Sequence, residues 1–211
     1  VAAATAHLCP YGIMKIIGAI IAGGRSSRMG GREKAFLELA SKPVILHVIE
    51  QFEPQVDQLV INANGDAARF SEFGLEVVPD ALSSLTTPLA GLHAALVFTK
   101  KVEAKMLVTV PSDTPFLPFN LVAKLLEKAL VRGAAIAASG DQEHYIIGAW
   151  KTDLLDDLDR AITSDNLFRG KDWAQRAAAQ SVIWPVEPYD PFFNVNAPED
   201  FRIAEQILGA S

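Results

Sequence analysis

Short continuous apolar runs alternate along this chain with segments whose apolar residues recur three and four positions apart. Ile16-Ile17-Gly18-Ala19-Ile20-Ile21-Ala22, Leu59-Val60-Ile61 and Met106-Leu107-Val108-Thr109-Val110 are of the first kind, with Glu76-Val77-Val78 a shorter example. Such brief runs predict strands buried on both faces. Val44, Ile45, Val48, Ile49 and Phe52 are of the second kind, behind a Pro43 that suits a helix first turn. Leu121, Val122, Leu125, Leu126 and Ala129 repeat that spacing before Gly133 stops the run. Strand and helix in this rhythm predict an α/β domain around a mostly parallel sheet. Beyond Ala134 the order changes. Ala134 to Ser139 and Tyr145 to Trp150 read as strands around the turn Gly140-Asp141. Helical patterns follow, then Val182-Ile183-Trp184 and Phe193-Asn194-Val195-Asn196, and residues 134–196 are expected to form a second wall of a cleft. With no internal repeat or linker, residues 14–211 read as a single domain. Residues 1–13 read as a leader or disordered extension, and deleting them is expected to leave the yield of soluble, active protein unchanged.

Parallel sheets bind ligands beyond the carboxyl ends of their strands. The polar clusters of this chain fall there: a glycine loop after the first strand, Asn62-Ala63-Asn64 after the second, Asp80 after the third and Ser112-Asp113-Thr114-Pro115 after the fourth. The loop from Gly23 to Lys34 holds Gly23, Gly24, Gly30 and Gly31 with Arg25, Arg28, Arg32 and Lys34. Glycine lets peptide N–H groups approach an anion closely, and the cations neutralise its charge, so the loop predicts a phosphate cradle with Arg28 and Lys34 on phosphates. It is neither a P-loop, since Lys34 lies between Glu33 and Ala35, nor a dinucleotide fingerprint.

Asp113 suits Mg²⁺, which prefers hard oxygens and bridges to substrate phosphates; the same residue would equally serve an Asx-turn or a cap before Pro118. Asp80 carries the same two readings. Asn62 and Asn64 fit either a turn or a ligand contact. Asn196-Ala197-Pro198-Glu199 makes a helix start, with Asn196 as cap and Glu199 three residues on. His7, His47, His93 and His144 are too scattered to form a site by spacing, and His47 reads as structural.

Composition narrows the class. A net charge of −6 over 211 residues argues against a general nucleic-acid binder. The apolar runs are far shorter than the roughly 20 residues of a membrane span. The single Cys9 excludes an internal disulfide framework and fits a reducing, cytoplasmic setting. A phosphate cradle, a hard carboxylate and no nucleophile motif together point to phosphoryl or nucleotidyl transfer, which depends on positioning and charge neutralisation.

Ile21-Ala22-Gly23-Gly24 with Arg28-Met29-Gly30-Gly31 and Lys34 resembles the signature of the small α/β nucleotidyltransferases. Val60-Ile61-Asn62-Ala63-Asn64, Pro88-Leu89-Ala90-Gly91, Ser112-Asp113-Thr114-Pro115 and Asn194-Val195-Asn196-Ala197-Pro198-Glu199 narrow the resemblance to the molybdenum cofactor guanylyltransferases. It runs from about Ile16 to Leu208. It implies a three-layer Rossmann-like nucleotidyltransferase fold and transfer of GMP from GTP to molybdenum-molybdopterin, with release of pyrophosphate. It implies guanine-nucleotide contacts at Ile21, Ala22, Gly23, Asn62 and Asp80, with Gly24 in the loop. Lys34 would contact phosphate, Asp113 would hold Mg²⁺ and nucleotide, and Asn194 and Asn196 would face the pterin. Arg28, Lys34 and Asp113 are the expected catalytic residues. Transient contact with cofactor synthesis or acceptor enzymes is also expected. Two positions depart from the family: Glu33 replaces the usual Asp, and Thr87 replaces a Gly, so Thr87 need not adopt a glycine-only conformation. The alternatives are a cytidylyltransferase acting on the same cofactor, against which Ala22-Gly23-Gly24 looks more like the guanylyl group, and a non-catalytic nucleotide- or cofactor-binding protein.

Overall fold

The strand Ile16–Ile21 (β1) is buried at every position, which requires partners on both edges and covering layers on both faces. The computed structural model supplies them; it describes residues 14–23, 28–29, 32–82 and 87–209, with 28–29 and 32–34 as backbone. Gln58–Asn62 (β2), Glu76–Val78 (β3), Met106–Pro111 (β4), Ala134–Ser139 (β5), Gln142–Lys151 (β6) and Gln180–Trp184 (β7) complete one sheet in the order β7-β5-β6-β4-β1-β2-β3. Only β6 runs antiparallel to its neighbours.

Alternate residues of β1 feed two cores. Ile16 and Ile20 pack with the helices Val44–Phe52 (α1) and Leu121–Arg132 (α3). Ile17, Ala19 and Ile21 pack on the other face with Pro88–Lys101 (α2), Leu155–Thr163 (α4) and Gly170–Arg176 (α5). The result is a helix–sheet–helix sandwich. The last helix, Pro198–Gly209 (α6), packs Ala204 against a satellite cluster of Leu39, Val44, Phe116 and Val195.

The periodic segments behave as their spacing predicts. In α1 the buried residues are Val44, Ile45, Val48, Ile49 and Phe52, and in α3 they are Leu121, Val122, Leu125, Leu126 and Ala129. Gly133 ends α3 at φ +96°, a conformation that side-chain-bearing residues rarely adopt. His47 is structural, its Nε2 lying 2.8 Å from the Leu39 carbonyl oxygen.

Four details differ from the pattern. Pro43 caps α1 from outside, at ψ 140°, because it also pairs with Glu38 in a short ribbon. Strand β6 starts at Gln142 rather than Tyr145, and its pairing with β5 slips between His144 and Gly148. Residues 193–196 form no strand, and β5, β6 and β7 extend the central sheet. Helix α2 has no amphipathic stripe, because ten of its residues, from Leu89 to Thr99, are buried between the sheet and α4. Among the described residues no helix is long and apolar enough to cross a membrane.

Leu125 is fully buried and Val131, on the same helix, is 77 % exposed. Leu125→Ala is expected to cost about 2–5 kcal/mol of stability, and Val131→Ala less than about 0.5 kcal/mol. Urea unfolding of the two variants measures the difference.

Candidate active site

The parallel strands bring their polar ends together. Ile21 is in register with Asn62 on one side and Pro111 on the other, and Asn62 with Val78. The backbone continues this stitching past the sheet: Ala22 N–H donates to the Asn62 carbonyl (2.9 Å), Ser112 N–H to the Ile21 carbonyl (3.3 Å) and Ala63 N–H to the Val78 carbonyl (3.2 Å). Gly23, Asn62, Asp80 and Asp113 therefore share one rim.

Asn62 is completely buried. Its amide nitrogen donates to the Val78 carbonyl (3.1 Å) and to Asp80 Oδ1 (2.9 Å), which fixes the orientation of the side chain. Asn64 engages the same acid from the other side, donating to Asp80 Oδ2 (2.6 Å) and accepting from the Asp80 backbone N–H (2.9 Å). Arg69, on the turn Ala67–Phe73, donates to the Asn64 carbonyl (2.6 Å) and lies over the Phe70 ring. Asp80 is thus held by both asparagines at the edge of the glycine loop.

The Asn62 side-chain oxygen, Oδ1, is buried and has no hydrogen-bond partner among the described residues. A Cβ on Gly23 would lie 3.6 Å from it, and a Cβ on Gly91 would overlap it outright, at 2.2 Å. Gly91 is the fourth residue of α2, so the first turn of that helix closes directly over the amide. Thr87 caps the helix at φ −119°, an ordinary extended conformation that needs no glycine.

On the opposite side of β1, Asp113 follows β4 and is half-buried. Its carbonyl accepts from Val195 N–H (2.8 Å), which brings Asn194 and Asn196, both exposed, next to it. The capping expectation for this segment is corrected. Asp200, not Glu199, reaches back to the N–H groups of Asn196 (2.8 Å) and Ala197 (2.7 Å), because α6 begins one residue later than that motif requires. Glu199 instead pairs with Arg202 at 3.2 Å.

Of the phosphate cradle, Gly24 lies outside the described residues, and Arg28 and Lys34 are described as backbone alone. Arg28–Met29 pairs antiparallel with Arg32–Glu33, and Lys34 opens the turn Lys34–Phe36. The loop is anchored beyond that point by Ala35, which enters the core, and by Phe36, which packs tilted against Phe70 and stacks on Phe73.

Residues 18–180 match the model of the MobA-like NTP transferase domain. The chain is 41% identical over 194 residues to a molybdenum cofactor guanylyltransferase of Bradyrhizobium sp. (strain ORS 278), a match that covers 90% of this chain and 92% of that one. The chain belongs to the MobA-like NTP transferase family. A guanylyltransferase of Rhodopseudomonas palustris (strain BisB5) is likewise 41% identical, over 89% of this chain and 91% of its own. The same fold occurs in the molybdopterin-guanine dinucleotide biosynthesis protein A of Archaeoglobus fulgidus, at TM-score 0.70 and 24% identity, covering 92% of this chain and 100% of that one. It extends to a 4-diphosphocytidyl-2C-methyl-D-erythritol synthase of Anaerococcus prevotii, at TM-score 0.71 and 14% identity, over 93% of this chain and 96% of that one. The chain is a nucleotidyltransferase.

Within this MobA-like site, sequence reasoning missed the physical roles of Gly91 and Arg69. Gly91 stands in the quoted Pro-Leu-Ala-Gly motif, but the reason for its glycine, contact with a side chain 29 positions earlier, is visible only in three dimensions. Arg69 lies in a seven-residue turn with no motif to mark it.

Gly91→Ala is expected to push the Asn62 side chain aside and weaken nucleotide binding by about 1–3 kcal/mol. Adding Asn62→Ala makes room for the methyl group, so the double variant should bind no worse than Asn62→Ala alone. Calorimetric titration of the three proteins with nucleotide checks this non-additivity.

Proposed function

We propose that the chain transfers GMP from GTP to the terminal phosphate of molybdenum-molybdopterin, yielding the guanine dinucleotide cofactor and pyrophosphate. The observation that carries this reading is the half-buried Asp80 carboxylate on the rim near Gly23, held in place by the enclosed Asn62 and by Asn64. Each carboxylate oxygen of Asp80 accepts one bond from an asparagine and keeps a further lone pair. Such a corner suits a partner that donates. The Watson–Crick edge of guanine offers two adjacent donors, N1–H and the 2-amino group. Cytosine offers a single amino donor beside two acceptors, which would face the oxygens unfavourably. A buried acceptor left unmatched costs about 1–3 kcal/mol, enough to choose between bases.

Ile21, Ala22 and Gly23 would line the nucleotide, with Gly24 continuing the loop, and Arg28 and Lys34 would lie along the triphosphate. The terminal phosphate of the acceptor would approach from the side of Asn194 and Asn196. Its second ionisation lies near pH 6, so at neutral pH an oxyanion is already available and no general base is needed. The oxyanion attacks the α-phosphorus in line, one new P–O bond forms, and the α–β bridging bond breaks to release pyrophosphate. Asp113 presents a hard carboxylate at the end of β4, a donor suited to Mg²⁺ when substrate phosphate and water complete the shell. Bound there, the metal would neutralise charge on the triphosphate.

Pyrophosphate release is expected with Mg²⁺, molybdenum-loaded molybdopterin and GTP, and not with CTP or ATP. Release with CTP instead would move the chain to the cytidylyl branch, and none from folded protein would favour a binding protein. Asp113→Ala and Lys34→Ala should lose most turnover while keeping the wild-type melting temperature. Wild-type rates in both at limiting Mg²⁺ would remove these residues from the site.

A further inference from the structure

The rim carries a second polar cluster, at the β5–β6 end. Ser139 closes β5 at 3 % exposure. Its hydroxyl lies 2.7 Å from His144 Nε2 on β6 and donates to Asp190 Oδ2 at 3.1 Å. A hydroxyl has one proton. With that proton directed at a carboxylate, His144 must donate its Nε2–H to the serine oxygen, so the bonds run in one direction from His144 through Ser139 to Asp190. Burial lowers the pKa of His144, and the charge of Asp190 opposes that effect.

Asp190 passes the restraint to the segment that follows. Its Oδ1 accepts the Phe192 N–H (2.8 Å), and its carbonyl accepts the Phe193 N–H (3.2 Å). The Phe192 ring, 1 % exposed, is enclosed between His144 at 5.0 Å and Trp184 at 5.3 Å. Three residues on, Val195 is buried and donates its N–H to the Asp113 carbonyl. The segment from Asp190 to Val195 is therefore tied at one end to the β5–β6 hairpin and at the other to Asp113. Asn194 stands exposed between the two ties.

We propose that Ser139, His144 and Asp190 form a clasp that positions Asn194 and Asn196 against Asp113, and so sets the affinity for the acceptor phosphate without touching the nucleotide. This rests on the reading that the acceptor enters beside Asn194 and Asn196. The three are positioning residues. A short loop tied at both ends holds its side chains in place before the ligand arrives, whereas a loop tied at one end must be ordered by the ligand at the expense of affinity.

The test uses Ser139→Ala, His144→Ala and His144→Gln in the full chain, Gln retaining an N–H donor near the position of Nε2. Hydrogen exchange at the Val195 amide is expected to accelerate about tenfold in the two alanine variants and to return toward wild type in His144→Gln. In the same alanine variants the acceptor KM should rise about tenfold, with kcat and the GTP dissociation constant within about twofold of wild type, the signature of lost binding uniform to ground and transition state. An unchanged acceptor KM in both alanine variants overturns the proposal, as does an equal loss of GTP affinity, which would mark a merely structural role. Failure of the functional reading registers separately, as wild-type protein that releases no pyrophosphate from GTP. Unchanged Val195 exchange would then still refute the clasp.

Discussion

The side chain of Asn62 is enclosed where three strands end and a helix begins, and the form of this corner of the rim follows from how that enclosed amide is held. Its nitrogen binds the β3 backbone and Asp80, which fixes the acid relative to the sheet. Its oxygen lies against Gly91, which sets how closely α2 can approach β1 and β2. Leaving a buried polar group without its partner costs about 1–3 kcal/mol, more than a typical hydrogen bond contributes net, so the bonds made by the nitrogen are held tightly. The residue thus ties the first turn of α2, the glycine loop and Asp80 to one set of distances, and a shift in any of them is felt by the others.

The remainder of the rim is built on a different footing. The Asn62–Asp80 corner is positioned by strands joined through helical crossovers, with side chains meeting from distant parts of the sequence. The side beyond Asp113 is positioned by a hairpin and a tethered loop, where Asp190, Phe192 and Val195 act within a few residues of one another. Asp113 belongs to both. It follows the central β4, and its carbonyl receives the tether. That double membership joins the strand-built half of the rim to the half built from the hairpin and the tethered loop.

Much of this was legible in the sequence. The α1 and α3 faces were read residue by residue, because a helix packed on one side shows its period in its apolar spacing. The rim clusters were legible because parallel strands place all their carboxyl ends together. Helix α2 was not, since burial on every side erases the period. The change of order at β6 was legible in the turn Gly140-Asp141, which is too short for the crossover a parallel neighbour needs. The α6 start was misplaced because Asp200 and Glu199 are neighbours of equal capping chemistry, and backbone position decides between them. The placing of Asn62, Asp80 and Asp113 on one rim was read from their positions in the chain. The ties among Asn62, Asp80 and Gly91 were not, since they join residues far apart in sequence and no local spacing encodes them.

The antiparallel β6 has a consequence for how separate the two halves of the rim are. Reversing one strand replaces a crossover helix with the tight turn Gly140-Asp141, where Gly140 takes φ +54°. That turn protrudes at the same rim as the carboxyl ends of the other strands. Ser139 and His144 meet on either side of it and Gly140 N–H reaches the Trp184 carbonyl at 3.5 Å, so a change in its length bears directly on the contact that holds Asp190. The Asn62–Asp80 corner, on the far side of β1, shares none of those bonds, so a change in the turn is felt in one half of the rim and not in the other.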